Sequence, residues 1–407
     1  VVAAELRRLS PEQIVVLGGE SAVSQQVADE AAAAAGGSRG DPAAQPVTGV
    51  AHPIAFAYEP ASGCQGPCEQ ETTIWTMRSD GGAAAPVTVS QDSFDRSPRW
   101  APGGSQLAFA RVSRASGAGD LYVLAVAGDG FAAPRRITDT ADVHGGRGCY
   151  GRDMVPAWSP DSARIAFTCG DGDDGASAVL VAAADGSGQF SVPAEATDAD
   201  AWPTWSPGSD RLAFARRDLS TRFGDPGRVA VWTAEMGASG AANPRPLVSG
   251  ERAAGHPQWS PVGDQILFVE LDELALRPTL KVVTVATGDS RVLYEPPRDR
   301  NVALYHASWS PGGSAVALPV GDGLNDSVVH VIAAATGRSV AVSPPDTVAL
   351  APGWSPDGSR VLFDAVTRDQ AGVTVQQLVT VGVDGGSQAL LGVPGGHAYD
   401  ASWRPGS

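Results

Sequence analysis

Apolar residues in this chain come in short runs, each introduced by a tryptophan and a proline turn. The runs include LAFA from Leu107, IAFT from Ile165, LAFA from Leu212, ILFV from Ile266 and VLFD from Val361. They are too continuous for half-exposed strands, so both of their faces must be covered. Before them stand WAPGG at Trp100, WSPDS at Trp158, WSPGS at Trp205, WSPVG at Trp259, WSPGG at Trp309 and WSPDG at Trp354, and a last WRPGS at Trp403 has no run after it. Proline two residues after each Trp cannot donate to a sheet ladder, and the Gly or Ser that follows suits the left-handed dihedrals of a tight turn, so each unit begins as a hairpin. A third run follows (LYVLAV from Leu121, VAVWTA from Val229, LVTV from Leu378) and then a shorter fourth (RRIT, RPLV, RVLY, QALL).

Successive tryptophans lie 58, 47, 54, 50, 45 and 49 residues apart, the period of a four-stranded propeller blade. The predicted fold is therefore all-β, a β-propeller of seven blades, with six or eight as alternatives. The ends supply the closure. IAFAY from Ile54 lacks a Trp strand before it, and Trp403 lacks a return strand after it. Pairing the two completes one more sheet and leaves no free edge.

WSPDG followed by a small or basic residue and an I-A-F run resembles the WD40-like (PD40) repeat of TolB-type propellers, also found in prolyl-oligopeptidase-like and tricorn-like proteins. The resemblance covers residues 51 to 407 and implies the fold; propellers host many activities, so it implies little about chemistry. TolB is six-bladed, and this count departs from it.

Residues 1 to 35 differ in kind. Helical spacing at Leu6 and Leu9, an apolar strand Ile14 to Leu17, a Gly18-Gly19 turn and a helix opened by Ser21 or Ser24 predict a small α/β segment. VVLGG followed by AVS resembles part of the type 2 cell-wall-binding repeat of Gram-positive surface proteins. Residues 36 to 50, rich in Gly and Pro, read as a linker in which the RGD at Arg39 is an accident of composition. A chain that opens at Val1 reads as a fragment or a processed product.

Four cysteines, an even number, fall in two local sets, Cys64 with Cys68 and Cys149 with Cys169. Two disulfides are expected, with a four-Cys zinc site as the rival. The hairpin around Asp161, carried outward, sets Cys169 opposite Met154 and leaves Cys149 to fold back in the same loop. With 29 basic against 45 acidic residues the formal net charge is −16, which argues against nucleic acid as partner. No apolar run approaches a membrane span. The expected setting is secreted or cell-wall associated.

Long, variable connections precede the Trp strands, and binding residues concentrate in such loops. The candidates are Asp95, Arg96, Asp200, Trp202, His256, Tyr305, His306, Tyr399 and Asp400. Solvation of a pore and hydrogen bonding between loops are the plainer roles for these side chains. Asp153 with Asp171, Asp173 and Asp174 of GDGDDG suits a hard cation such as calcium, although the loop lacks the terminal bidentate Glu of an EF-hand. No cofactor is otherwise expected.

Catalytic motifs are absent: no G-x-S-x-G stands at a strand-to-helix elbow, and there is no H-E-x-x-H. The expected function is a monomeric, non-catalytic propeller that binds a protein, peptide or glycan of the cell envelope. His256 and His306 occupy equivalent places in consecutive units, which keeps open a metal-dependent polysaccharide lyase or hydrolase acting in the channel.

Overall fold

The computed structural model describes residues 51–406, apart from 61–71, 90–91, 142–147, 151–153, 171–175, 222–227, 238–239, 251, 273–276, 298–305, 322–325, 345–346, 369–373 and 394. The predicted α/β segment and linker, Cys64, Cys68, Asp153, Asp171, Asp173, Asp174 and Tyr305 therefore lie outside the described residues.

The described strands form five hydrogen-bonded sheets, three of four strands, one of ten and one of eight, and the seven Trp strands mark off seven repeat units among them. The first unit is assembled from both ends: Gly396–Trp403 pairs with Ile54–Pro60, which continues to Thr73–Met77 and Ala85–Pro86. Ile54 stands opposite Trp403, as the sequence predicts. The other units follow in order, their Trp strands being Ser93–Trp100, Ala157–Trp158, Asp198–Trp205, Ala253–Trp259, Ser308–Trp309 and Val348–Trp354.

Alternation along the second strand shows why these runs are apolar on both faces. In Gln106–Ser113, Leu107 and Phe109 pack toward the first unit, while Ala108 and Ala110 pack toward the third. The same alternation of faces produces seven buried clusters, one at each junction between neighbours. The cluster joining the seventh unit to the first (Leu362, Leu378 and Leu391 against Ile54, Phe56 and Met77) closes the ring.

The Trp strands are the innermost layer, because they bond to one another across units. Trp158 donates its indole N–H to the Arg99 carbonyl, Trp205 to Ala157, Trp309 to Gln258 and Trp354 to Ser308, at 2.9 to 3.0 Å. Each acceptor is the residue just before the preceding Trp. The serine of the turn has a role of its own: the hydroxyls of Ser159, Ser206, Ser310 and Ser355 accept the N–H five residues on. Fourth strands such as Ser290–Tyr294 and Ala389–Leu391 are mostly exposed and form the outer rim.

One sequence expectation needs correction. Ala157 pairs with Ala166 as the Asp161 hairpin requires, but by Gly170 the partner has become Tyr150, and Cys169 faces Ala178 on its other neighbour. The register has slipped by three residues, so Met154 is not opposite Cys169. Cys149 is, nevertheless, brought into a disulfide with Cys169. Its short strand pairs with Ala118 and Gly119 of the second unit as well as Gly170 of the third, tying the two sheets together.

Candidate functional site

A backbone irregularity recurs at one level of the inner strands. Three residues before the tryptophan, the chain takes a left-handed conformation at Ser97, Trp202, His256, His306, Ala351 and Asp400, with φ between 47 and 62°. None is glycine. In the five of these strands whose pairing is described through that level, the register shifts by one residue there, between Arg96 and Arg99, Ala201 and Thr204, Gly255 and Gln258, Leu350 and Gly353, and the corresponding pair in the closing strand. This is a β-bulge repeated around a ring. Such dihedrals cost a non-glycine residue about 1–2 kcal/mol each, and they cluster where a side chain must be re-aimed.

The bulge exposes an N–H that the ladder no longer takes up. In two places the preceding unit supplies an acceptor: Thr168 Oγ1 receives the Trp202 N–H at 3.1 Å, and both Asp364 carboxyl oxygens receive the Asp400 N–H, at 3.1 and 3.0 Å. Thr168 and Asp364 hold the same place, the residue after the core Phe of the second strand. Elsewhere that place is Ala57, Ala110, Ala215, Val269 or Pro319.

The bulge side chains make a continuous arc. Trp202, 46% exposed, stacks on His256 with ring centroids 3.7 Å apart. His256 is pushed down to about 4, by burial first and then by His306. His306 is reached by solvent, yet surrounding protein also lowers it; Asp400 pulls it up and Arg99 down. Arg99 and Asp400 form an ion pair at 2.6 Å. Asp364, behind them, is wholly buried, and desolvation pushes its carboxyl up to about 8, with the Asp400 charge adding to the shift and Arg99 opposing it. At neutral pH the arc therefore presents neutral imidazoles, an indole face and a single ion pair, with a protonated carboxyl beneath.

The remaining candidates are placed differently. Asp95 and Asp200, two residues before the bulge, are fully buried and held by bidentate arginine forks, Arg111 at 2.7 and 2.8 Å and Arg216 at 2.7 Å twice. Burial pushes the Asp200 carboxyl above its ordinary range despite that fork. Their hydrogen-bonding capacity is spent within the sheet. Arg96 lies over the Phe94 ring at 4.7 Å. The Tyr399 hydroxyl meets Thr72 Oγ1 at 3.2 Å, and burial pushes it up to about 12. Among the described residues no three His, Cys, Asp or Glu side chains converge as a metal-ligand set, so His256 and His306 gain no third ligand there. Arg99, Asp364 and Thr168 escape sequence reasoning, although a carboxylate inside the VLFD run was a signal: no other such run carries one after its Phe.

No protein-family model matches the chain, and no curated protein sequence matches it. Solved structures do. A puromycin-hydrolyzing peptidase of Mycobacterium tuberculosis superposes with a TM-score of 0.57 at 16% identity, covering 87% of this chain and 55% of that one. An oligogalacturonate lyase in complex with manganese superposes at 0.56 and 14% identity, covering 83% of each chain. The fold is a β-propeller. TolB from Acinetobacter baumannii is also similar, at 0.47 and 15% identity over 87% of this chain and 67% of that one. The present propeller spans about half the length of the peptidase, and at these identities the likeness is one of fold.

Proposed function

We propose that this propeller is a non-catalytic binding module, and that its ligand, a protein, peptide or glycan of the cell envelope, contacts the bulge arc of the inner strands. The observation that carries the reading is the Trp202–His256 stack. A half-exposed indole is held by a backbone conformation that Trp rarely adopts, against a ring kept neutral by its surroundings. Exposed aromatics with a polar neighbour are the usual anchors of recognition surfaces, and Arg99 with Asp400 offers charged hydrogen bonds further along the same arc. The Cys149–Cys169 disulfide supports an oxidising, extracytoplasmic setting. Among the described residues no helix is long and apolar enough to cross a membrane.

The test is retention of cell-wall glycan and secreted proteins on the immobilised chain, compared with Trp202→Ala. Loss of at least tenfold in retention at an unchanged melting temperature is expected. Retention that is equal in the two forms overturns the reading.

His256 and His306, electrostatically coupled in consecutive units, favour a second reading as a metal-dependent lyase or hydrolase. Its site would be the same arc, with the two imidazoles as ligands. Turnover of an acidic polysaccharide in the presence of manganese, abolished by His306→Ala, would decide for it.

A further inference from the structure

At the other end of the inner strands, beyond the WSP turns, the units repeat a second arrangement. The residue six positions after each of the first six repeat tryptophans begins the second strand, beside the junction with the next unit. It is arginine in the third, fourth and seventh units. In the third and fourth the guanidinium lies over the tryptophan ring of the next unit, Arg164 over Trp205 at 4.8 Å and Arg211 over Trp259 at 5.9 Å, whereas Arg360 of the seventh donates to Thr380 and Ser387 of its own unit. Arg404 covers Trp100 at 4.9 Å across the closure. The three covered indoles are 5 to 6% exposed. Arg164 also donates to two carbonyls of the next unit, Ser209 and Gly237.

In the sixth unit this position is Ala315. A methyl group cannot reach across the junction, and a cavity of about 340 Å³ stands where the guanidinium lies elsewhere, lined by Ala315, Val331, Trp354, Asp357, Gly358 and Val383 among others. Trp354 is correspondingly only partly buried. The two carbonyl acceptors of the Arg164 seat have counterparts here. Gly358 stands four residues after Trp354, as Ser209 does after Trp205, and among the described residues its carbonyl receives no hydrogen bond. Asp384 corresponds in register to Gly237. The lip is acidic: Asp357 and Asp384 are exposed, and hydrogen bonds from Ser355 and Ser359 pull the Asp357 carboxyl down to about 2.

We propose that the cavity between the sixth and seventh units is a seat for an arginine side chain of a partner protein. The molecule's own Arg164 and Arg211 show the ligand's chemistry. In both a planar cation stacks on the indole of the next unit, and in Arg164 its N–H groups also reach the turn carbonyls of that unit. Desolvation favours guanidinium over ammonium, because the more weakly hydrated, delocalised cation gives up less on leaving water. A chain of net charge −16 attracts a basic partner from a distance as well. This seat is independent of the bulge arc, so either reading stands without the other.

The ten indole N–H signals of the isotope-labelled protein provide a local readout, with that of Trp354 assigned through Trp354→Phe. Titration with Nα-acetyl-arginine amide is expected to shift the Trp354 signal selectively, at apparent dissociation constants on the order of millimolar for so small a probe. Nα-acetyl-citrulline amide, of the same shape without the charge, should leave it in place, and the lysine analogue should bind at least threefold more weakly. Ala315→Arg should abolish the response and raise the melting temperature by about 1–3 °C by filling the seat from within. Ala315→Gln, which copies Gln106 and Gln265 of other units, should cut the response without adding charge. An equal shift with citrulline, arginine and lysine binding alike, or an undiminished response in both Ala315 variants overturns the proposal.

Discussion

Two levels of the same inner strands, three residues apart, are built on opposite plans. At the tryptophan level the side chain repeats in every unit and the backbone is ordinary. At the bulge level the backbone repeats in six units while the side chains are of five kinds: Ser97, Trp202, His256, His306, Ala351, Asp400. Identical side chains are what a packing interface needs, since each indole must fit the same junction, and four of them also find the equivalent carbonyl. A repeated backbone with varied side chains is a rack, which holds different chemistry at fixed spacing around a ring. Stability should therefore be concentrated at the first level and recognition at the second.

The sharpest challenge to that division is Trp205→Ala. The indole is 6% exposed and bonded to Ala157, so the variant should lose about 3–5 kcal/mol in denaturant unfolding. A loss below 1 kcal/mol would remove the packing role.

The next largest effect concerns Asp364, where the bulge depends on a buried carboxyl. Its folded pKa of about 8 lies above the ordinary carboxylate value. The folded state thus binds more protons than the unfolded state between these values, and the stability Asp364 contributes is full in acid and lost as pH rises toward 8. Asp364→Asn keeps an acceptor for the Asp400 N–H without the ionisation. It should stabilise the protein by about 1–2 kcal/mol at pH 8, the gain being limited by an amide group that burial leaves seeking a partner, and the difference should shrink toward pH 4. A difference constant with pH would refute the assignment of the proton.

Ala351→Gly is the smallest of the three. Relief of left-handed strain exceeds the added backbone freedom of glycine, so a gain of about 0.5–1 kcal/mol is expected. Destabilisation would mean that the bulge is not strained at that residue.

The tryptophan level was open to sequence reading because its identity repeats; seven W-x-P turns and the unpaired Ile54 and Trp403 strands dictate both the units and their closure. The bulge was not, because left-handed positions are usually betrayed by glycine, and here they carry Ser, Trp, His, Ala and Asp. Equivalent placement of His256 and His306 was visible; the reason for it was not. The Cys149–Cys169 pairing was legible from proximity, but the three-residue slip beside it was hidden in a loop without turn residues at a fixed offset. Asp95 and Asp200 look like pore carboxylates in the sequence, since nothing local shows that Arg111 and Arg216 lie across the ladder from them.

The stitched first unit has a consequence for the making of the protein. Arg404 reaches back to the Ala51 carbonyl, 353 residues earlier in the chain. At about 5–20 residues per second, a ribosome needs on the order of 20–70 s to produce the second half of that contact. Throughout that interval the Ile54–Pro60 strand, the first of the ring to emerge, waits with one edge open and its apolar flank toward the last unit uncovered. The nascent chain is then at its most vulnerable to association with its neighbours, and the ring becomes safe only when its last strand arrives.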